Sequence, residues 1–301
     1  MSLRSRALVG VYSGGQQLAR ILPARSVLRV SRVLGHMAFR VMRSQRTMLT
    51  RHMRRAVAPE SSAAEIEGLV RAAFVSYVRY YIESFRLTNL SAETIDEGVV
   101  VSGGDPVFQA LADGRGAVVV LPHLGGWEWA AYWFTRVKGL RITAVVEAIE
   151  PPELFEWFRK FRQGIGINVV PLGAGAGNEV IAALARNELV VLLSDRDLQG
   201  NGAEVNFFGE TTTLPSGGAI LALRTGAPLF PLAAYFGAGE QHEILVLDEI
   251  DTRREGRLRQ DAARITQDVA YALEVLIRRA PDQWHLLQPN WPSDFELLSG
   301  E

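Results

Sequence analysis

The stretch that decides the fold is Val118-Val-Val-Leu-Pro-His123-Leu-Gly-Gly-Trp-Glu128. Its apolar, β-branched start predicts a buried strand over 118–121, and the Gly-Gly pair predicts a turn into a helix over 127–137. A histidine just beyond a buried strand lies where parallel sheets place their clefts. We therefore expect an α/β protein with a site at His123.

Short apolar runs and helical segments alternate along the chain beyond Val99. This alternation predicts a mostly parallel central sheet flanked by helices. Further strands are predicted over 141–146, 168–171, 189–193, 229–235 and 243–247. Further helices are predicted over 152–163, 178–186, 217–225 and 258–279. We expect one domain, 1–301, made of a helical region over 1–95 and an α/β core over 96–301.

The N-terminal region is strongly basic. Residues 1–60 hold 12 Arg and a single acid, whereas the rest of the chain holds 20 basic and 32 acidic residues. Spacings of three and four over 25–43 predict an amphipathic helix with a basic face. That face comprises Arg25, Arg29, Arg32, Arg40 and Arg43. An anionic membrane surface, nucleic acid or plain solvent would each suit such a face. A second helix is predicted over 62–86, with Ser62 and Glu65 as its capping box.

Three absences in the sequence narrow the range of possible functions. There is no cysteine, which excludes disulfides and a thiol nucleophile. The longest apolar runs are of strand length, far short of the ~20 residues that a membrane span needs. Arginines interrupt any signal-peptide pattern at the N-terminus. We expect the protein to stay in the cytoplasm.

The chemistry is expected at the carboxyl ends of the strands. Glu128 follows His123 closely enough to orient its imidazole as a general base. Gly125 and Gly126 would let the backbone approach a ligand and offer amides to an oxyanion. A structural histidine beside a helix-start carboxylate is the alternative.

Further charged residues follow two other predicted strands. Asp195, Arg196 and Asp197 follow strand 189–193, and Glu147 follows strand 141–146. These groups would share one cleft with His123 if the sheet order allows it. A surface loop of self-paired charges is the alternative for 195–197.

A glycine-rich stretch, Gly173-Ala-Gly-Ala-Gly-Asn178, lies between a predicted strand and a helix. With Asp195 ending the next strand, it imitates a dinucleotide fingerprint and keeps a nicotinamide-dependent oxidoreductase open as an alternative. A tight connection is the simpler interpretation, because Asn178 stands where the fingerprint has its third glycine. The non-enzymatic alternative is a membrane lipid-binding protein.

An ordered set of segments carries a family resemblance. The set comprises SYVRYYIESFR at 76–86, LPHLGGWE at 121–128, DRDL at 195–198, VNFFGE at 205–210 and WHLLQPNW at 284–291. It resembles the actinobacterial phosphatidylinositol mannoside acyltransferases, in the superfamily of lipid A and glycerolipid acyltransferases. The superfamily's mark is His-X4-Asp/Glu after an apolar strand.

The resemblance implies an enzyme on the cytoplasmic face of the membrane, with no nucleic acid partner, metal or cofactor. Acyl-CoA would be the donor, and a mannose hydroxyl of a phosphatidylinositol mannoside the acceptor. His123 matches the family's general base, and Glu128 and Asp195 match acids that are commonly Asp and Glu, respectively, in close relatives. Glu147 and Arg162 match polar residues of the active-site groove.

The expected mechanism is direct transfer of a long-chain acyl group, such as palmitoyl. His123 would take the hydroxyl proton, and Asp195 or Glu128 would hold the imidazole. An acyl-chain tunnel is expected, with walls that include Trp127, Trp129, Trp133 and Phe134. Core packing is the alternative for these four aromatic side chains.

Overall fold

A seven-stranded sheet organises residues 3–299, the part of the chain that the computed structural model describes. Its strands are β1 (Val99–Ser102), β2 (Ala117–Leu121), β3 (Ile142–Val146), β4 (Ile167–Pro171), β5 (Leu189–Leu193), β8 (Leu229–Phe236) and β9 (His242–Val246). Two further strands, β6 (Ala203–Phe207) and β7 (Glu210–Leu214), form a separate antiparallel pair. The sheet order is β1-β9-β8-β2-β5-β3-β4, and only β8 and β9 pair antiparallel. The predicted α/β class with a mostly parallel sheet is confirmed.

Helices cover both faces of this sheet, each with its own apolar core. They are α1 (Leu3–Ile21), α2 (Ala24–Val41), α3 (Arg43–Ala56), α4 (Ala63–Arg86), α5 (Ala92–Glu97), α6 (Asp105–Ala112), α7 (Trp127–Arg136), α8 (Pro152–Gly164), α9 (Ala176–Ala185), α10 (Gly217–Thr225), α11 (Leu258–Arg279) and α12 (Pro292–Ser299). The capping box of Ser62 and Glu65 begins α4, as the sequence predicts. The elements that were not predicted are α1, α3, α5, α6, α12, β1 and the β6–β7 hairpin. The alternation of Ala203, Val205 and Phe207 with polar residues is typical of a strand and was overlooked.

Strands β2 and β5 lie at the point where the direction of chain connection reverses. From β2 the chain passes through α7 to β3 on one side of the pair, whereas from β5 it passes through α10 to β8 on the other. Helices α7 and α10 belong to the two different cores, on opposite faces. Such a reversal opens a crevice at the carboxyl ends of the two strands, where parallel sheets bind their ligands.

Helix α2 shows three faces rather than the predicted two. Its buried face packs on α4 so closely that a Cβ at Gly35 would lie 2.6 Å from the Cα of Val75. A second face carries exposed arginines, and a third exposes apolar side chains. The third face comprises Val33, Leu34, Met37 and Val41, which are 44–75% exposed. The predicted helix over 25–43 is wrong at its end, because α2 stops at Val41 and Arg43 begins α3.

No helix among residues 3–299 is both long and apolar enough to cross a membrane.

The segment from Trp284 to Trp291 returns to the chain just beyond β2, where Trp284 bridges Leu124, and both tryptophan side chains are fully buried. Just beyond it, the buried Asp294 carboxylate binds Arg51 at 2.6 Å and Arg55 at 3.0 Å. These ion pairs join α12 to α3, and so fix the returning segment against the N-terminal helices.

Candidate active site

His123 and Asp195 each lie two residues beyond the end of adjacent strands, β2 and β5. Because Leu121 pairs with Leu193 in register, the two side chains come side by side. Asp195 Oδ1 accepts a hydrogen bond from His123 Nδ1 at 2.6 Å. Nε2 is therefore the nitrogen directed away from the carboxylate, and the imidazole lines a cavity while remaining 39% exposed. This is the geometry of a base oriented by an acid.

Asp195 is fully buried and surrounded by hydrogen-bond donors. Its Oδ2 accepts from the backbone amide of His123 at 3.0 Å and from Trp284 Nε1 at 2.8 Å. Asn290 Nδ2 donates to the backbone carbonyl of Asp195 at 3.0 Å. Burial opposes ionisation of this carboxyl, but His123 and the donors outweigh it and hold the pKa of Asp195 below its ordinary value.

The contact between Asp195 and His123 also changes the pKa of the imidazole. Burial by itself lowers the pKa of His123, but the adjacent Asp195 carboxylate outweighs burial and raises that pKa above its ordinary value. The imidazole is therefore a stronger base than a free histidine and is fixed in one orientation.

Glu128 does not orient His123, contrary to one of the two arrangements that the sequence left open. Its Oε1 accepts hydrogen bonds from Tyr80 at 2.7 Å and from Arg162 Nη2 at 3.1 Å. Its Oε2 is buried and has no hydrogen-bond partner among the described residues. Burial raises the pKa of Glu128 despite the opposing charge of Arg162. The Glu128 side chain is directed to Tyr80 and Arg162, so the five-residue spacing brings no contact with the imidazole.

The glycine pair serves backbone packing rather than an oxyanion. Gly125 N–H donates to the carbonyl of Gln283 at 2.9 Å, and Gly126 N–H donates to that of Ala234 at 2.9 Å. Gly125 has φ +58°, and a Cβ there would lie 1.9 Å from the carbonyl oxygen of Ala234. Only glycine fits at this position. The expectation that these two amides bind an oxyanion is therefore wrong, although Gly125 lines the cavity.

The other predicted site residues divide between cavity and loop. Glu147, Arg162 and Arg196 line the cavity, with Arg196 Nη1 4.0 Å from Glu147 Oε2. Asp197 also reaches the cavity wall, but its carboxylate accepts three backbone amides of its own loop, from Gln199, Gly200 and Gly202. Its oxygens stabilise that loop, which leaves little capacity for a substrate.

The cavity has a volume of about 720 Å³ and a mixed lining. Its aromatic side chains are Tyr12, Tyr77, Tyr80, Tyr81, Trp127, Phe155 and Phe158. Its aliphatic side chains include Val145, Leu172, Val180, Ile181, Leu192, Ile220 and Leu221. Of the aromatic walls that the sequence suggested, Trp127 lines the cavity, whereas Trp129, Trp133 and Phe134 are buried in a hydrophobic core.

The structure argues against the dinucleotide fingerprint. The glycine-rich loop, residues 173–178, follows β4, which is the edge strand rather than a strand at the connection reversal. Both carboxylate oxygens of Asp195 already bind His123 and Trp284, so none is left for a ribose. The loop is a connection into α9. Among residues 3–299, no three histidine or acidic side chains come together as a metal site.

Sequence reasoning missed the residues that support the dyad of His123 and Asp195. Trp284 and Asn290 belong to the segment WHLLQPNW, which was singled out only for its resemblance. His285 of the same segment, and Tyr80 of α4, line the cavity. A useful signal was available, since polar groups within an apolar aromatic segment need buried partners.

Comparisons with known proteins show the family of the chain. Residues 2–293 match the family described as bacterial lipid A biosynthesis acyltransferase. A phosphatidylinositol mannoside acyltransferase of Mycolicibacterium smegmatis is 35% identical over 286 residues, which cover 94% of this chain and 91% of that protein. One of the same name from Mycobacterium tuberculosis is 38% identical over 239 residues, covering 77% and 73% respectively. The chain therefore belongs to the bacterial lipid A biosynthesis acyltransferase family.

Proposed function

We propose that this acyltransferase moves a long-chain fatty acyl group, such as palmitoyl, from acyl-CoA to a mannose hydroxyl of a phosphatidylinositol mannoside. The names of the two relatives support the acceptor. The observation that carries the chemistry is the hydrogen bond between His123 Nδ1 and the buried Asp195 carboxylate, beside an open cavity. The reaction would belong to phospholipid metabolism and glycolipid biosynthesis.

The lining of the cavity suits both substrates. Its aliphatic side chains suit an acyl chain, because the transfer of that chain from water is favourable at about 25 cal/mol for each Å² buried. Its aromatic side chains, together with Glu147, Arg162 and Arg196, suit sugar hydroxyls, which need hydrogen-bond partners. His123 lines the same cavity, where the thioester and the acceptor hydroxyl would meet.

His123 acts as the general base in the proposed mechanism. Its Nε2 takes the proton of the mannose hydroxyl while that oxygen attacks the thioester carbon. Asp195, held ionised, stabilises the imidazolium that forms. The thiolate of CoA then leaves and takes the proton back from the imidazolium. Transfer is direct, and the chain has no cysteine to form a thioester intermediate.

The test of this function is the variant His123→Ala. Loss of the base is expected to lower kcat by about 10³–10⁴-fold. The measurement is the formation of acylated glycolipid from palmitoyl-CoA and mannosylated phosphatidylinositol, followed by mass spectrometry. Arg253→Ala, at an exposed loop position away from α2, is the control and should keep full activity. Undiminished transfer by purified His123→Ala would refute the base, and no transfer by the unaltered protein would favour a lipid-binding role.

We also propose that α2 docks on the cytoplasmic face of the membrane. The arginine face and the exposed apolar face adjoin on this helix, as in helices that lie in the interface of a bilayer. The side chains of Arg25, Arg29, Arg32, Arg40 and Arg43 are exposed and form no ion pair with another described residue. Anionic lipid is therefore a better partner than nucleic acid, which has no use for the apolar face.

Vesicle pelleting tests the docking. Replacing Arg25, Arg29 and Arg32 with Gln is expected to weaken binding to phosphatidylinositol-containing vesicles by about 10²-fold, since each basic residue contributes about 1 kcal/mol. The matched control replaces Arg115, Arg253 and Arg259, exposed arginines on other elements, and should bind normally. Equal binding by both variants would exclude the arginine face as the docking surface.

A further inference from the structure

A second imidazole, that of His285, lies beside the proposed base. The backbone amide of His285 donates to the carbonyl of His123 at 2.7 Å, and Leu124 pairs with Trp284 in an antiparallel bridge. Residues directly opposite each other in an antiparallel pair direct their side chains to the same face. Both imidazoles consequently line the same cavity.

The hydrogen bond between His285 and Ser76 indicates which nitrogen of the His285 ring carries the proton. Its Nε2 lies 2.9 Å from the Oγ of buried Ser76, and this is the only hydrogen bond of that hydroxyl among the described residues. If the ring donated, the serine proton would be buried without an acceptor, which proteins avoid. If Ser76 donates, both groups are satisfied. The ring proton then lies on Nδ1, which has no protein partner in the described chain.

The surroundings of His285 keep its ring neutral. The ring packs against Tyr77 and Tyr80, with centroid distances of 5.6 Å and 5.7 Å. Burial, and after it the charge of His123, lower the pKa of His285 to about 3, although Asp195 opposes this. The imidazole therefore remains a neutral donor throughout the neutral pH range, and it does not compete with His123 for the hydroxyl proton.

The backbone amides next to His123 do not provide a free hydrogen-bond donor of this kind. The four amides from His123 to Gly126 donate, in order, to Asp195 Oδ2 and to the carbonyls of Pro122, Gln283 and Ala234. Each is already used within the protein. Acyl transfer, however, develops a negative charge on the thioester oxygen, and donors aimed at that oxygen are a large part of catalysis.

We propose that His285 Nδ1–H donates a hydrogen bond to the thioester carbonyl oxygen and stabilises the oxyanion of the tetrahedral intermediate. This rests on the proposed acyl transfer. When the acceptor oxygen bonds to the thioester carbon, the carbonyl π pair moves to that oxygen and the hydroxyl proton moves to His123 Nε2. When the C–S bond breaks, the pair returns and the thiolate takes that proton. His285 keeps its proton throughout.

Two variants separate this role from a structural one. His285→Asn places an amide N–H at the position of Nδ1, whereas His285→Gln keeps a polar atom at the position of Nε2, beside Ser76. We expect His285→Gln to lower kcat by about 10²-fold, as loss of one oxyanion donor does. His285→Asn should retain activity within about tenfold, with little change in the KM for palmitoyl-CoA in either case. Release of CoA is followed with a thiol reagent, since the chain has no cysteine.

Higher activity of His285→Gln than of His285→Asn would overturn the proposal, because the contact with Ser76 would then be the important one. The tautomer gives a readout that needs no activity. With five histidines labelled with ¹⁵N, the signal that disappears in His285→Asn should be a neutral Nδ1–H ring between pH 5 and pH 8. An Nε2–H or doubly protonated ring would overturn the proposal, and His285→Gln gives the same assignment if His285→Asn fails to fold. His123→Ala decides the proposed function separately, because its activity does not depend on this assignment.

Discussion

Two buried carboxylates bind side chains that line the cavity, and their environments are opposite: Asp195 binds His123, whereas Glu128 binds Tyr80 and Arg162. Every contact of Asp195 favours its charge, and its pKa is lowered. Glu128 shares one oxygen between Tyr80 and Arg162, leaves the other without a partner, and has a raised pKa. Position in the fold explains the contrast. Asp195 ends a central strand in register with β2, whereas Glu128 lies in the first turn of α7.

This difference teaches that proximity in sequence is a poor guide to partnership in a site. Glu128 lies five residues from His123 and Asp195 lies 72 residues away, yet the more distant acid binds the imidazole. For a residue at the end of a strand, the register of the sheet sets the direction of the side chain. For a residue in the first turn of a helix, the packing of that helix sets this direction. Three substitutions test whether the two acids differ in function as they differ in environment.

The largest effect is expected for Asp195→Asn. The amide cannot stabilise the imidazolium, so kcat should fall by about 10³-fold. His123 also loses the charge that raises its pKa, so the acid limb of the kcat/KM profile should move to lower pH. The base is active when neutral, which means that activity rises with pH through the His123 pKa. A pH–rate series measures both effects, and an unmoved acid limb would contradict the dyad.

An intermediate effect is expected for Trp284→Phe. The ring is retained, but one donor to the Asp195 carboxylate is lost, at a cost of about 1.5–3 kcal/mol in unfolding free energy. Activity should fall by about tenfold because the dyad is less rigid. Urea unfolding and kcat are the measurements. Trp129→Phe, in the core of the other face, is the control for ring packing, and an equal loss of kcat in it would argue against a role specific to Asp195.

The smallest effect is expected for Glu128→Gln. The amide oxygen can still accept from Tyr80 and Arg162, so kcat/KM should fall by only about threefold. The acid limb of the profile should stay in place, in contrast to Asp195→Asn. A shift of that limb in Glu128→Gln would show that this acid also sets the basicity of His123.

Stability should distinguish the two acids as well. A raised pKa means that protonated Glu128 stabilises the fold fully below its unfolded pKa, and that this contribution is lost as pH rises through the folded value. Ionised Asp195 stabilises the fold fully above its unfolded pKa, and this stabilisation is lost as pH falls through its lowered folded pKa. The unfolding temperature of Glu128→Gln, relative to that of the unaltered protein, should therefore increase as pH rises above the ordinary pKa of a glutamate.

Much of the architecture was predictable from sequence. The strands at 118–121 and 189–193 were marked by apolar, β-branched residues, and the capping box marked the start of α4. His123 and Asp195 were recognisable because charged residues directly after buried strands mark a cleft. Sheet order was not recoverable, and without it the choice between Asp195 and Glu128 could not be made.

Side-chain partners that come from distant segments were also beyond the sequence. No local sequence pattern indicates that the Trp284 indole donates to Asp195. Nor does one indicate that the amides of Gly125 and Gly126 donate to the carbonyls of Gln283 and Ala234. The exposed apolar face of α2 was missed for a related reason. Helical periodicity shows which residues share a face, but the packing of Gly35 on Val75 decides which face is buried.

The contacts of Trp284 and Asn290 with Asp195 span 89 and 95 residues. Contacts of such long range close late, since the entropy of a long loop must be overcome first. A refolding chain should therefore recover its helical circular dichroism before its ability to transfer acyl groups. Catalytic competence would then report the last stage of folding, and a chain cut ahead of Trp284 would keep strands and helices around an unsupported base.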